Sequence, residues 1–481
     1  MTPPAGGGPG GAARTRRASE VRRQVTIVNQ RGLHARMGGK PTSAGRTVVL
    51  ASFLLGGPSG SGVATTVTIG SVAYPMLAKV GYGKNAAGGL LAAGGLGAII
   101  SPPVLGAAAF LIAEFLKISY LDVLLMAAIP TCLYYLALFL MVELDARRIG
   151  MKEVSFERAT SMWTLTKNYG FHFLSLFAII VFMLFGFSPV MSVFWATVVS
   201  FATSFLHRDC ALLSYDWLRG REPFFKGFAR SGLVKAMEGG TLSVLNVAVT
   251  CAGAGMIVGV VTLTGLGLKF SSIVLAYAGG SLLLTAIYTA LIVWIVGLAV
   301  PVTASYIICA VIAAPALIQL GVPDFAAHMF IFYYAVLSEV SPPTALSPFA
   351  AAAITGGDPY KTTLQCWKYT MPAFLLPFMF VLDPSGQGLL LMGSTKKLAG
   401  ADWGSIAEVV LTAAIGIAAL AAGLQGWLIR RANVIERAML IAAGILLVYP
   451  AAWADATGLA LVVIVFALQW LRRTQTASVA S

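Results

Sequence analysis

The sequence predicts an all-α polytopic membrane protein, and three observations carry that prediction. The 481 residues are 58% hydrophobic and only 11% charged, where a soluble protein holds about 25% charged residues. Mean hydropathy is +0.83. Apolar runs that approach or reach the ~20 residues needed to cross a bilayer recur along the chain. Lipid offers no partner to backbone N–H and C=O groups, so such runs must be helices or closed barrels. The runs are continuous rather than alternating, which disfavours a β-barrel.

Taken in order, residues 1–46 are basic, with a Gly/Pro-rich start, and read as mostly disordered. The first 50 residues hold nine basic residues and one acid, Glu20. A cytoplasmic flank obeying the positive-inside tendency explains this better than a nucleic-acid site, so no nucleic-acid partner is expected. The segment lacks the short apolar core of a signal peptide. Residues 47–142 form a first repeat, with apolar runs at 47–57, 63–78, 86–118 and 120–142. Residues 143–240 read as connector helices: a charged amphipathic stretch at 143–168, two apolar runs at 171–187 and 190–206, and a mixed basic segment at 207–240 lying on the cytoplasmic surface. Residues 241–385 form a second repeat, with runs at 241–266, 271–297, 299–320, 325–353 and 370–382. Residues 386–481 supply C-terminal transmembrane helices near 403–424, 438–453 and 457–471. Arg430, Arg431, Arg437, Arg472 and Arg473 place both basic ends of the last hairpin in the cytoplasm.

The repeat rests on punctuation. Ser-Pro-Pro interrupts an apolar run at Ser101–Pro103 and again at Ser341–Pro343, 240 residues later. In that ungapped register Pro75 meets Pro315, Leu77 meets Leu317, Gly81 meets Gly321, and Ala86–Ala87 meet Ala326–Ala327. Proline lacks an N–H and breaks the helix before it, freeing carbonyls that lipid cannot satisfy. Repeats with broken helices point to a secondary transporter, whose substrate and ion sites sit at such breaks near the bilayer midplane. Each break follows a stretch that fits a re-entrant hairpin, with tips at 58–66 and 301–305. Hydroxyls and bare carbonyls there are hard oxygen ligands suited to an alkali cation. Glu339, an acid inside an apolar stretch, is a candidate cation ligand or proton carrier. Cys132, Cys210, Cys251, Cys309 and Cys366 show no metal or redox spacing, and no transition-metal site is expected. No Walker-type phosphate loop or catalytic constellation is present, so an enzyme is not expected and neither is a cofactor.

Four segments, "SGSGVATTVTIG", "GLGAIISPPVLGAAAFLIAEFL", "GGTLSVLNVAVTCAGAGMIVGVVTLTGLGLKF" and "SEVSPPTALSPFAAAAITGGDPYKTTLQCWKY", resemble the large permease of TRAP transporters. The nearest kind is the fused permease that works with TAXI-type binding proteins. The resemblance covers about residues 50–385 and extends to the C-terminal helices. It implies an elevator-type ion transporter fold in the bacterial inner (plasma) membrane. It also implies an extracytoplasmic TAXI-type substrate-binding protein as partner, and import of an organic anion such as a carboxylate by symport with Na+ or H+. Carried over by motif, the first cation site would use Ser59, Ser61, Thr65, Gly97 and Pro102. The second would use Thr303, Ser305, Glu339 and Ser341. Many members have Asn where this chain has Thr65, which weakens the first site.

The second repeat is preceded by several spans and the first by only about 50 mostly polar residues, so the chain reads as N-terminally truncated. A truncated chain would be inactive unless a partner completed it. "VTIVNQRGLHAR" at 25–36 resembles the active-site segment of the HPr phosphocarrier. That resemblance implies phosphorylation at His34 assisted by Arg36, within a membrane-tethered phosphocarrier. The following "MGGKPTSAG" cannot supply the helix such chemistry needs, which marks the segment as vestigial.

Overall fold

The computed structural model describes residues 43–150, 170–206, 231–449 and 451–478, together with 167, 211–213, 217 and 223–229. Among these residues the chain is all-α and polytopic. Six helices are long and apolar enough to cross a membrane, and shorter apolar helices accompany them.

The first block begins with α1 (Ser43–Ser59) and α2 (Gly62–Val80), antiparallel arms joined at Gly60–Ser61. α3 (Lys84–Ile100) runs to the first Ser-Pro-Pro, α4 (Ala108–Leu116) resumes beyond it, and α5 (Tyr120–Ile149) follows. The apolar run at 86–118, expected to break at Ser-Pro-Pro, is two helices. Pro102 and Pro103 carry no N–H, so the helix stops at Ile100. Next come α6 (Leu174–Leu184), α7 (Pro189–Ser204), α8 (Phe224–Ala229), α9 (Gly232–Thr264) and α10 (Leu266–Ala278). α9 begins inside the segment expected to lie on the surface: Ser231 caps it, its Oγ accepting from Val234 N–H at 3.3 Å. The single run expected at 271–297 is cut by Gly279 and Gly280, both at positive φ.

The second block comprises α11 (Leu282–Gly297), α12 (Val302–Ile312), α13 (Ala314–Gln319), α14 (Asp324–Ser338), α15 (Leu346–Thr355) and α16 (Pro359–Leu382). Its bounds recur 240 residues after those of the first block to within a few residues: α2 starts at 62 and α12 at 302, α3 at 84 and α14 at 324. The caps recur too. Gly81 and Gly321 both adopt positive φ, and the following N–H bonds back to Leu77 O (3.1 Å) and Leu317 O (3.2 Å), the six-to-one bond of a Schellman end.

The two blocks run in opposite directions. The start of α3 meets the end of α15, where Asp358 N–H donates to Asn85 Oδ1 at 2.8 Å. The end of α4 meets α12 and the start of α14, where the Phe115 ring lies 6.0 Å from Tyr306 and 5.9 Å from His328. α3 is the packing hub, buried from Ala87 to Ile100. Its glycines allow this: a Cβ on Gly89 would fall 2.6 Å from Gln365 Cβ. Without a hydrophobic force between helices in lipid, such close approach supplies the association energy.

After α16 the chain bends by 101° into short 3-10 turns at 384–393. α17 (Trp403–Gln425), α18 (Val434–Val448) and α19 (Ala452–Ser478) complete the chain. A reciprocal capping box between Asn433 and Glu436 starts α18, and Arg472 pairs with buried Glu436 at 2.8 Å. Leu184, Val190 and Leu263, on or beside α6, α7 and α9, face outward, as side chains against lipid do.

Candidate transport site

Both hairpin tips and both helix breaks gather in one region. At the first tip Gly60 approaches the segment just past the first break, where a Cβ on Gly106 would lie 3.4 Å from Gly60 O. Ser61 caps α2, its Oγ accepting from Ala64 N–H at 3.3 Å. One turn on, Thr65 is buried and its hydroxyl has no hydrogen-bond partner among the described residues. Ser59 ends α1. Gly97 lies in α3, and a Cβ there would overlap the Tyr134 and Tyr135 rings. Pro102 opens the break, and the Pro102–Pro103 and Pro342–Pro343 peptides are both cis.

The freed carbonyls of the first break are met by protein. Ser101 Oγ donates to Gly97 O at 2.5 Å, Gly106 N–H to Ile99 O at 2.9 Å, and Thr131 Oγ1 to Ile100 O at 2.6 Å. The second break repeats the first of these bonds: Ser341 Oγ donates to Leu337 O at 3.0 Å. It also accepts from two indoles, Trp294 Nε1 at 2.8 Å and Trp367 Nε1 at 3.3 Å. Ser305 is buried at the second tip and donates to Val293 O at 3.4 Å, and Thr303 is half-buried in the first turn of α12. Gly297, at the end of α11, faces Ser338 and Ser305, so hydroxyls of the second tip and second break share one space.

Sequence reasoning groups Glu339 with the second tip; the structure seats its carboxylate at the first. A Cβ on Gly62 would lie 2.6 Å from Glu339 Oε1. Ser347 Oγ donates to that oxygen at 2.8 Å, and the Val63 backbone N–H is directed at the carboxylate. Glu339 thus stands at the start of α2, where unpartnered N–H groups favour an anion. The cause is the interleaving of the two blocks, which brings the second break against the first tip. Sequence reasoning missed Trp294, Trp367, Ser347, Thr131 and Gly62. A tryptophan within "LIVWIVG" gave a signal, since a buried indole N–H needs an acceptor; Ser347 and Thr131 gave none.

Among the described residues no group of three or more His, Cys, Asp or Glu could hold a metal ion. His34 and Arg36 lie outside the described residues.

A family model described as "Tripartite ATP-independent periplasmic transporter, DctM component" matches residues 31–384, starting within the HPr-like segment. The chain is also similar to the 2,3-diketo-L-gulonate TRAP transporter large permease protein YiaN of Escherichia coli (strain K12), at 36% identity over 103 residues. That match covers 20% of this chain and 24% of the relative, so the chain spans about a quarter of the curated relative's length.

Proposed function

Because the chain belongs to the DctM component family of tripartite ATP-independent periplasmic transporters, a family of multi-pass inner-membrane proteins, we propose that it is the large permease of a binding-protein-dependent secondary transporter. In this reading an extracytoplasmic binding protein of the TAXI type delivers an organic anion such as a carboxylate. The permease moves the anion inward with Na+ or H+, by elevator motion of the hairpin-bearing core. The observation that carries the proposal is the convergence of two hairpin tips and two helix breaks, the arrangement in which secondary transporters hold substrate and ions.

Ser59, Ser61, Thr65, Gly97 and Pro102 would form one cation site. Thr303, Ser305, Glu339 and Ser341 would form the other, with Glu339 reaching across to the first. The unpartnered Thr65 hydroxyl supports the first set, since a buried donor and acceptor without a partner leaves room for an oxygen-seeking ion.

Charge supports an orientation. Lys84, Arg147, Arg148, Arg430, Arg431 and Arg437 cluster at the end where α3 starts and α5 and α17 finish. Glu114, Asp122, Asp324, Asp383 and Asp402 lie at the other. The first end is therefore cytoplasmic.

Uptake of a labelled dicarboxylate into proteoliposomes, with the cognate binding protein added outside, tests the reading. Uptake should require the binding protein and a Na+ or H+ gradient. Combining Ser341→Ala with Thr303→Ala should abolish it. Unchanged uptake in the double variant would remove the ion-site assignment, and uptake without binding protein would favour a self-sufficient symporter.

A further inference from the structure

We propose that the cytoplasmic end carries a binding site for a compact oxyanion, a carboxylate or phosphate group, in the cavity between the starts of α3 and α16. The cavity measures about 660 Å³, within the range of small-ligand sites. It lies apart from the tips and breaks, a full length of α3 from Ile100.

The charges of its lining do not balance. Lys84, Arg148 and Lys368 face it with Asp145 and Asp358. Asp358 is occupied in capping α16, its Oδ1 accepting from Lys361 N–H at 2.7 Å. Asp145 accepts the Tyr369 hydroxyl and stands 3.7 Å from Lys368 Nζ. Among the described residues Arg148 donates to a backbone carbonyl, Gln425 O at 3.3 Å. Neither Arg148 nor Lys84 pairs with a carboxylate among the described residues. Two cations in the cavity thus lack a carboxylate partner, and the lining carries a net charge of +1, three cations against two carboxylates.

The backbone adds donors of the same sense. Gly83 precedes α3 at the N-cap position and has no side chain to cap it. The first N–H groups of α3, on residues 84–86, therefore lack a side-chain cap, and those residues line the cavity. Behind the wall at Gly357 lie the hydroxyls of Thr355 and Thr362, both buried and both without a partner among the described residues. A Cβ on Gly357 would sit 3.2 and 3.1 Å from them. A guanidinium and an ammonium without carboxylate partners, beside a helix start, select an anion, and a cavity of this size suits a small oxyanion rather than a polyanion. α3 and α5 come from the first block and α15 and α16 from the second, so the bound anion would bridge the two.

The site can be measured without transport, so its failure and that of the permease reading are separable. The full-length chain in neutral phosphatidylcholine nanodiscs is unfolded thermally in sodium phosphate and in sodium chloride, matched in pH, sodium and ionic strength. Phosphate should raise the midpoint by about 3 °C or more. Lys84→Gln with Arg148→Gln should lose that shift, weakening apparent phosphate affinity about tenfold or more, while unfolding normally in chloride. Lys117→Gln, on the opposite face, should keep it. If the double variant does not fold, Lys84→Gln alone, at an exposed position, is read the same way. Nanodiscs containing phosphatidylglycerol distinguish the source: a raised starting midpoint that phosphate no longer increases means a lipid headgroup occupies the site, and an undiminished phosphate shift means a soluble anion does. No stabilisation by phosphate or phosphatidylglycerol, or an equal shift in the Lys84 and Arg148 variants, would overturn the proposal.

Discussion

Substituting Gly62 by alanine pits helix propensity against the contact that joins the two blocks. Gly62 is the first residue of α2, at a φ that any residue adopts. Propensity alone therefore expects Gly62→Ala to stabilise by up to ~1 kcal/mol. The structure predicts the opposite sign. The new Cβ would lie 2.6 Å from Glu339 Oε1 and 3.1 Å from Ser347 Oγ, inside van der Waals contact for the first. The carboxylate would have to leave Ser347 and the Val63 N–H. A lost hydrogen bond to a charged group costs about 1.5–3 kcal/mol and overpacking about 1–3 kcal/mol. After subtracting the propensity gain, the net loss is about 1.5–5 kcal/mol. Thermal unfolding of the solubilised protein reads this as a midpoint lowered by several degrees. Gly239→Ala on α9 is the control: no atom crowds its Cβ position, so alanine there should be neutral or stabilising. Shortening the acid, Glu339→Asp in the Gly62→Ala background, should restore part of the loss by withdrawing the carboxylate about one bond length. A Gly62→Ala midpoint equal to or above wild type would refute the argument that Glu339 holds the tip.

Three further outcomes are expected. Ser341→Ala should lower thermal stability more than Ser101→Ala, because it also orphans the Trp294 and Trp367 indoles, at about 1–3 kcal/mol for each buried donor; equal losses would mean the indoles find other acceptors. Thr131→Val should destabilise by about 1–3 kcal/mol by stripping Ile100 O of its donor, whereas Thr197→Val, at an exposed bond within its own helix, should change the midpoint little. In intact cells lacking native cysteines, Lys397→Cys should react with an impermeant thiol reagent added outside, and Arg431→Cys only after permeabilisation; the reverse pattern would invert the orientation.

Much of the fold was legible because its punctuation is covalent. Proline without an N–H and glycine at positive φ leave the same mark wherever they stand, so the 240-residue offset could be read directly. It aligns the element bounds found in three dimensions. What could not be read was how the blocks interleave. Nothing local to Glu339 says that Gly62 and Val63 are its neighbours, and nothing near Ser341 announces two indoles from different helices. Such contacts follow from packing, whose signal is shape rather than residue type. Helix starts were the other weak point. Polar residues hid the beginnings of α9 at Gly232 and α16 at Pro359, since a helix needs apolar residues only along the face it buries.

The opposed directions of the two blocks have an electrostatic consequence. Helix ends carry about half an elementary charge, negative at the C-terminus and positive at the N-terminus. The C-termini of α1, α3, α11 and α14 stop in the central region, and the N-termini of α2, α4, α12 and α15 start there. The partial charges cancel in sum while staying separate in space. A neutral centre of this kind offers adjacent places to a cation and to an anion without keeping a permanent ion pair in the hydrocarbon. The ionisable side chain it holds, Glu339, lies against one of the positive ends.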